Sequence, residues 1–261
     1  MRDRAVWLEQ LRLLLIAIGF FTRIPVPSQI NVDSDSLNRA SRYFGLVGLI
    51  VGGVSALVMW LVSLALPMSI AIVLAMLTSV LLTGGFHEDG LADTADGFGG
   101  GWSIADKLSI MKDSRLGSYG ALALVLVLLL KFELLTELAL YDPVSAFFAL
   151  ILAHTLSRVI AASLIYSEAY VRDDGKSKPL AHQQSLNDLG ILLLTGVLVV
   201  MLVAPASIVT FIVCAVIIRF ALVFWLRSQI GGYTGDTLGA AQQLSELAIY
   251  ILLLVGRNSG G

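Results

Sequence analysis

Six stretches of this chain are apolar enough, over lengths close to those that cross a lipid bilayer, to fix its class: residues 43–66, 68–86, 118–141, 143–166, 189–204 and 206–227. A span needs about 20 such residues. With 57% hydrophobic and 14% charged residues, about half the usual charged share, the chain is not water-soluble. Two further segments are weaker. Leu244 to Val255 is short, and Trp7 to Phe21 carries Glu9 and Arg12 in its first half; a tilted, interfacial or partly re-entrant helix suits both. The expected fold is all-α, a polytopic membrane helix bundle of six spans plus one or two short or interfacial helices, in a single integral membrane domain over residues 1–261.

Lys and Arg in the connections predict the orientation. The turns at Pro67, Asp142-Pro143 and Pro205 hold none, whereas Arg23, Arg39, Arg42, Lys107, Lys112, Arg115, Arg172, Lys176, Lys178 and Arg227 fall in the other four connections. Polar loops near 22–42, 87–117, 167–188 and 228–243 are therefore expected on the cytoplasmic side. Arg2 and Arg4 would break that rule if the first segment spanned, so an N-terminal helix in the cytoplasmic interface is expected. Arg23, Pro25 and Pro27 after Phe21 do not resemble a signal-peptide cleavage site. Cys214, inside an apolar run, reads as an inert thiol. No basic stripe interleaved with aromatics points to nucleic acid.

One polar segment carries chemistry. Glu88, Asp89, Asp93 and Asp96 lie between Gly85 and the glycines Gly97, Gly99, Gly100 and Gly101, with no Lys or Arg between Glu88 and Lys107. At about 100° per residue, Asp89, Asp93 and Asp96 share one helix face within roughly 60°. Carboxylates that close repel unless a cation lies among them, and clustered hard oxygen ligands suit Mg²⁺, which shares its remaining positions with water and substrate phosphates. Asp236, in the glycine-rich patch Gly231 to Ala240, is a further ligand candidate. His87, beside the run, reads equally as a general base, a ligand or a boundary residue.

Downstream, Lys112 and Arg115 precede Gly117-Ser118-Tyr119-Gly120 at the start of the next apolar segment; cations there, with a helix N-terminus, suit phosphate oxygens. Arg158 and Arg219 lie inside apolar segments, where a central charge costs about 2.5 to 3.5 kcal/mol, so each should have a partner or snorkel. His154, one turn before Arg158, reads as a packing residue. Lys131, Glu133 and Glu137 read as a snorkelled lysine and interfacial carboxylates. Glu246 is placed provisionally with Asp236.

Phe20-Phe21-Thr22-Arg23-Ile24-Pro25-Val26-Pro27, Tyr43-Phe44-Gly45-Leu46-Val47-Gly48, Gly84 to Gly101, Met111 to Gly120 and Gly231 to Ala240 together resemble the cobalamin synthase family, also called adenosylcobinamide-GDP ribazoletransferase. The resemblance implies a multi-pass enzyme of the inner membrane, its site facing the cytoplasm. It also implies Mg²⁺-dependent phosphoryl transfer that joins adenosylcobinamide-GDP to α-ribazole, or its 5′-phosphate, and releases GMP. On that reading Glu88, Asp89, Asp93, Asp96 and Asp236 hold metal. Lys112, Arg115 and Arg158 contact phosphates, and His87 or Asp113 takes the hydroxyl proton. The bilayer is a further partner, nucleic acid is not, and a homo-oligomer is left open.

Two alternatives carry less of the sequence. A CDP-alcohol phosphotransferase has Asp-x-x-Asp-Gly-x-x-Ala-Arg, but here Asp93-Thr94-Ala95-Asp96-Gly97 leads to Gly100 and Gly101 at the Ala-Arg positions. A cation transporter would bury its acids near the bilayer midplane.

Overall fold

The computed structural model describes residues 2–172 and 184–258, so Lys176 and Lys178 lie outside the described residues. The chain runs through α1 (Arg2–Phe21), α2 (Ser34–Ala40), α3 (Phe44–Ser63), α4 (Met68–Thr83), α5 (Phe86–Gly100), α6 (Ile104–Ile110), α7 (Ser118–Tyr141), α8 (Pro143–Ser167), α9 (Leu186–Val203), α10 (Ile208–Ile230) and α11 (Gly235–Asn258). Among the described residues the isolated bridge between Tyr170 and Tyr233 is the sole β pairing. The fold is the all-helical membrane bundle that the apolar runs predict.

Among the described residues five stretches are long and apolar enough to cross a membrane: Ser34–Ser63, Pro143–Ser167, Leu186–Val203, Pro205–Ile230 and Gly235–Gly256. A sixth arises if α4 and α5 are taken as one broken span bent by 87°. Three details differ from the sequence expectation. The run over 68–86 stops at Thr83, because Gly84 and Gly85 adopt φ of 69° and 72°, a left-handed geometry that glycine adopts without a Cβ clash. That turn swings the acidic helix α5 out of line with α4. The short apolar piece Leu244 to Val255 is the second half of the full-length helix α11. And α7, with Lys131, Glu133 and Glu137 in its second half, is not one of the five.

The centre of the bundle is α8, whose side chains are buried around most of its circumference. A helix buried on every side needs small residues where its neighbours cross, since in lipid close van der Waals packing holds helices together. At Gly48 of α3 an added Cβ would stand 2.2 Å from the His154 carbonyl oxygen. There α3 and α8 touch backbone to backbone. Outward faces stay apolar: Phe220 and Phe224 of α10 are exposed, as lipid contact requires. On α1, Leu13, Ile16 and Ala17 pack inward while Trp7, Leu8 and Leu11 are exposed.

The charge-poor turns gather at one end. Asp142, Ala204 and Pro205 line a groove of about 670 Å³ with the last turns of α11, and Ser63 and Met68 lie beside Pro143. At the other end meet the start of α11, the start of α7, the C-terminal end of α8 and the helix α5.

Candidate active site

The acidic helix forms without interruption. Gly90 and Gly97 weaken a helix in isolation, but Glu88 and Asp89 sit in the first turn of α5, where negative charge complements the helix dipole. Asp89, Asp93 and Asp96 therefore keep the register that their spacing predicts. Gly90 has a second use. A Cβ there would lie 2.7 Å from the Asp236 carbonyl oxygen and 3.0 Å from its Cα, so the missing side chain lets the first turn of α11 rest directly on α5.

That crossing brings Asp236 to Asp89 and Asp93. Burial, then the neighbouring charges of Asp236 and Asp89, push the Asp93 carboxyl up to about 7. The Tyr170–Tyr233 bridge, with Val171 N–H donating to the Tyr233 carbonyl (3.0 Å) and Tyr233 N–H to the Ala169 carbonyl (2.9 Å), fixes the segment after α8 beside this cluster. It sets Arg172 Nη1 2.6 Å from Asp236 Oδ2.

Behind the cluster runs a polar chain along α11. Gln243 Nε2 donates to Glu88 Oε1 (3.1 Å) and to Gln242 Oε1 (3.0 Å), and Gln242 Nε2 donates to Glu246 Oε2 (2.7 Å). Glu246 also accepts from Tyr250 OH at 3.0 Å, forms an ion pair with Lys131 and stands 3.5 Å from His154 Nε2. This corrects two sequence readings. Lys131 is 2% exposed and ion-paired inside the bundle, not snorkelled, because α7 packs that face against α11. Glu246 belongs to this inner network and not to the cluster around Asp236. His154 is, as expected, a buried hydrogen-bonded residue: Arg158 Nη1 lies 3.2 Å from its Nδ1 and donates to its carbonyl at 3.0 Å. Arg219 is held by Ser163 Oγ (3.1 Å) and Ser167 Oγ (2.6 Å).

The other sequence candidates are engaged elsewhere, although the Asp96 charge still reaches Asp93 along α5. Both oxygens of Asp96 are occupied: Gly117 N–H donates to Oδ2 (2.7 Å) and Gly120 N–H to Oδ1 (2.9 Å). Asp96 is the N-cap that α7 lacks in its own sequence, since Gly117 has no side chain to supply one. Arg115, exposed, grips Asp113 with Nε 3.0 Å from each carboxylate oxygen. Those hydrogen bonds lower the Asp113 carboxyl to about 2. The pair lines an open pocket of about 510 Å³ with Asp96, Gly117 and Tyr119. Lys112 is exposed on the same loop.

His87 points the opposite way from Asp89, two residues on and about 200° around the helix. Its ring stacks on Phe21 with centroids 5.5 Å apart. Burial, then the Arg158 charge, holds it well below the ordinary histidine range and therefore neutral. With Phe20, Phe44, Phe86 and Arg158 it lines a cavity of about 30 Å³, enough for a water.

A divalent cation fits the donor set in part. Among the described residues no group of three or more His, Cys, Asp or Glu side chains is placed to hold a metal ion by itself. Mg²⁺ is typically held by one or two carboxylates with substrate phosphates and water completing the shell. Asp89 and Asp93 are hard oxygen donors one helical turn apart, Asp236 lies opposite them, and Glu88 Oε2 is buried without a hydrogen-bond partner.

Residues 13–254 match the family described as cobalamin-5-phosphate synthase. The chain belongs to that family. A relative from Shewanella halifaxensis (strain HAW-EB4), named adenosylcobinamide-GDP ribazoletransferase, is 64% identical over 252 residues, covering 96% of this chain and 97% of the relative. Another of the same name from Shewanella oneidensis is 59% identical over 257 residues, 98% of each chain. No solved structure matches. Membership of the cobalamin-5-phosphate synthase family rules in favour of a transferase and against the CDP-alcohol phosphotransferase and transporter alternatives.

Several residues of this family member's site were not singled out from sequence. By sequence Arg172 is one of ten loop cations, and Gln242 and Gln243 belong to no motif. A pair of amides breaking an apolar helical run, and opposite charges inside two separate apolar segments, are the signals that mark Gln242-Gln243 and Lys131–Glu246.

Proposed function

We propose that this chain is an adenosylcobinamide-GDP ribazoletransferase that joins adenosylcobinamide-GDP to α-ribazole, or its 5′-phosphate, with release of GMP, the last stage of cobalamin assembly. The observation that carries the site assignment is the close set Asp89, Asp93 and Asp236, gathered where α11 crosses Gly90 and edged by Arg172. Family membership and the relatives' shared name support the reaction.

In this reading the ribazole hydroxyl oxygen attacks the phosphorus nearest the cobinamide, a new P–O bond forms, and the bond to the bridging oxygen breaks so that GMP leaves. Mg²⁺, when bound, withdraws charge from the pyrophosphate oxygens. Asp89 and Asp93 would hold it, with substrate phosphates and water completing the shell, Asp236 beside them paired with Arg172 and Glu88 behind them steadied by Gln243, while Asp96 contributes by fixing the start of α7 against α5. Lys112 and Arg115 attract the anionic substrate at the loop, and Arg158, within electrostatic reach of Glu88, adds positive potential from behind. Neither His87, turned away from Asp89 into an apolar cavity, nor Asp113, held by Arg115, faces the carboxylate set, so the hydroxyl proton passes to solvent water.

The polar end of the bundle faces the cytoplasm of the inner membrane. A cysteine placed at Ser114 in a Cys214→Ala background should label with an impermeant maleimide in inverted vesicles and not in intact cells.

Purified protein in nanodiscs, given adenosylcobinamide-GDP, α-ribazole 5′-phosphate and Mg²⁺, should release GMP and stop when the metal is chelated. Absence of GMP from folded protein overturns the reaction, and turnover unchanged by chelation overturns the metal.

A further inference from the structure

Arg172 uses one of its three guanidinium nitrogens. Nη1 faces Asp236 at 2.6 Å, whereas Nε and Nη2 are buried and have no hydrogen-bond partner among the described residues. The side chain is 11% exposed. Buried donors left unpaired are costly, and those of a cation more so, so a native structure that keeps two of them side by side calls for an acceptor. Nε and Nη2 form one edge of the guanidinium fork, spaced to donate in parallel to two oxygens of one phosphate or carboxylate.

The backbone makes that placement specific. Arg172 follows directly on the Tyr170–Tyr233 bridge, and Tyr233 precedes the α11 turn that carries Asp236. The same short stretch of paired backbone thus locates the cation and the carboxylate together. Carboxylates close by account for the charge of Arg172 but offer Nε and Nη2 nothing in the described structure.

We propose that Arg172 is a substrate-binding residue whose Nε–Nη2 edge takes two non-bridging oxygens of a diphosphate while Nη1 stays on Asp236, tying the substrate's phosphates to the carboxylate cluster. The inference rests on the proposed pyrophosphate reading of the site. It assigns to Arg172 the paired contact that Arg115, already engaged with Asp113, does not have open in this arrangement.

GDP alone, with Mg²⁺, is the probe, titrated calorimetrically into nanodisc-embedded wild-type protein and the variants Arg172→Lys and Arg172→Gln, with melting temperature measured in parallel. Lysine keeps the charge opposite Asp236 but lacks the paired donors. GDP affinity should fall about tenfold or more in Arg172→Lys and further in Arg172→Gln, with the melting temperature of Arg172→Lys close to wild type. If Arg172 serves only as the counter-ion of Asp236, Arg172→Lys will bind GDP as wild type does, and that result overturns the inference alone. Wild-type protein that neither binds GDP nor releases GMP overturns the pyrophosphate reading itself, and the inference with it.

Discussion

Two groups of charged side chains lie along the same helix, α11, and they are built on opposite terms. At its first turn, Asp236 meets Asp89 and Asp93 with Arg172 as the nearby cation, and burial with like charge pushes Asp93 up to about 7. Deeper in, Glu246 is surrounded by Lys131, His154, Gln242 and Tyr250, so that both carboxylate oxygens are engaged. One cluster carries surplus negative charge at the polar end of the bundle; the other is close to saturated inside it. A buried ion pair that is fully hydrogen-bonded holds helices in place, while carboxylates set against each other at an open end repel one another. The difference lies in what surrounds each carboxylate, since both groups set carboxylates beside a cation.

Substitutions can break that contrast, and the largest expected effect is on the saturated group. Lys131→Met leaves Glu246 as a buried charge short of its main counter-ion and should destabilise the bundle by about 3 to 5 kcal/mol, read as a large drop in melting temperature in detergent. A wild-type melting curve would show that the pair is dispensable.

Asp93→Asn addresses the other group. Turnover should fall by about 10²- to 10³-fold, the scale for losing one electrostatic contributor to a transition state, while the protein melts at or above the wild-type temperature because one repelling charge is gone. A lower melting temperature would place Asp93 with the structural group.

Smaller is Asp96→Ala, which strips the cap from α7 and should cost about 0.5 to 2 kcal/mol. Its activity loss should track that destabilisation. If Asp96→Ala instead raises the Mg²⁺ concentration needed for half-maximal rate with no change in melting, Asp96 is a ligand after all.

The smallest effect is a pH slope. The Asp93 carboxyl is raised, by burial first and then by Asp236 and Asp89, from 3.8 to about 7, so the folded state holds that proton more tightly than the unfolded chain does. Its contribution to stability is full below about pH 4 and is lost as pH rises through about 7. In chelator, melting temperature should therefore fall between pH 5 and pH 8, and the slope should flatten in Asp93→Asn. An identical slope in that variant assigns the titration to another group.

The legible part of this protein was local. Apolar runs gave the bundle because a span is a contiguous length of chain, and the spacing of Asp89, Asp93 and Asp96 gave a shared helix face because register survives Gly90 and Gly97 in α5. The bend between α4 and α5 falls inside a run, 68–86, that reads as one span; Gly84-Gly85 permit it, and its 87° angle depends on what α5 packs against. Asp96 reads as a third ligand by spacing; only the approach of α7 shows that its oxygens already hold Gly117 and Gly120.

Sequence alone thus determined that the chain is a membrane helix bundle with an acid-rich helix at a polar end, since hydropathy and helical period are written in neighbouring residues. Tertiary structure decided which acids are left for chemistry. Lys131 with Glu246, Asp96 with the start of α7, and Arg172 with Asp236 are contacts between helices or their ends, and whether a carboxylate is satisfied or waiting depends on what packing brings to it from far along the chain.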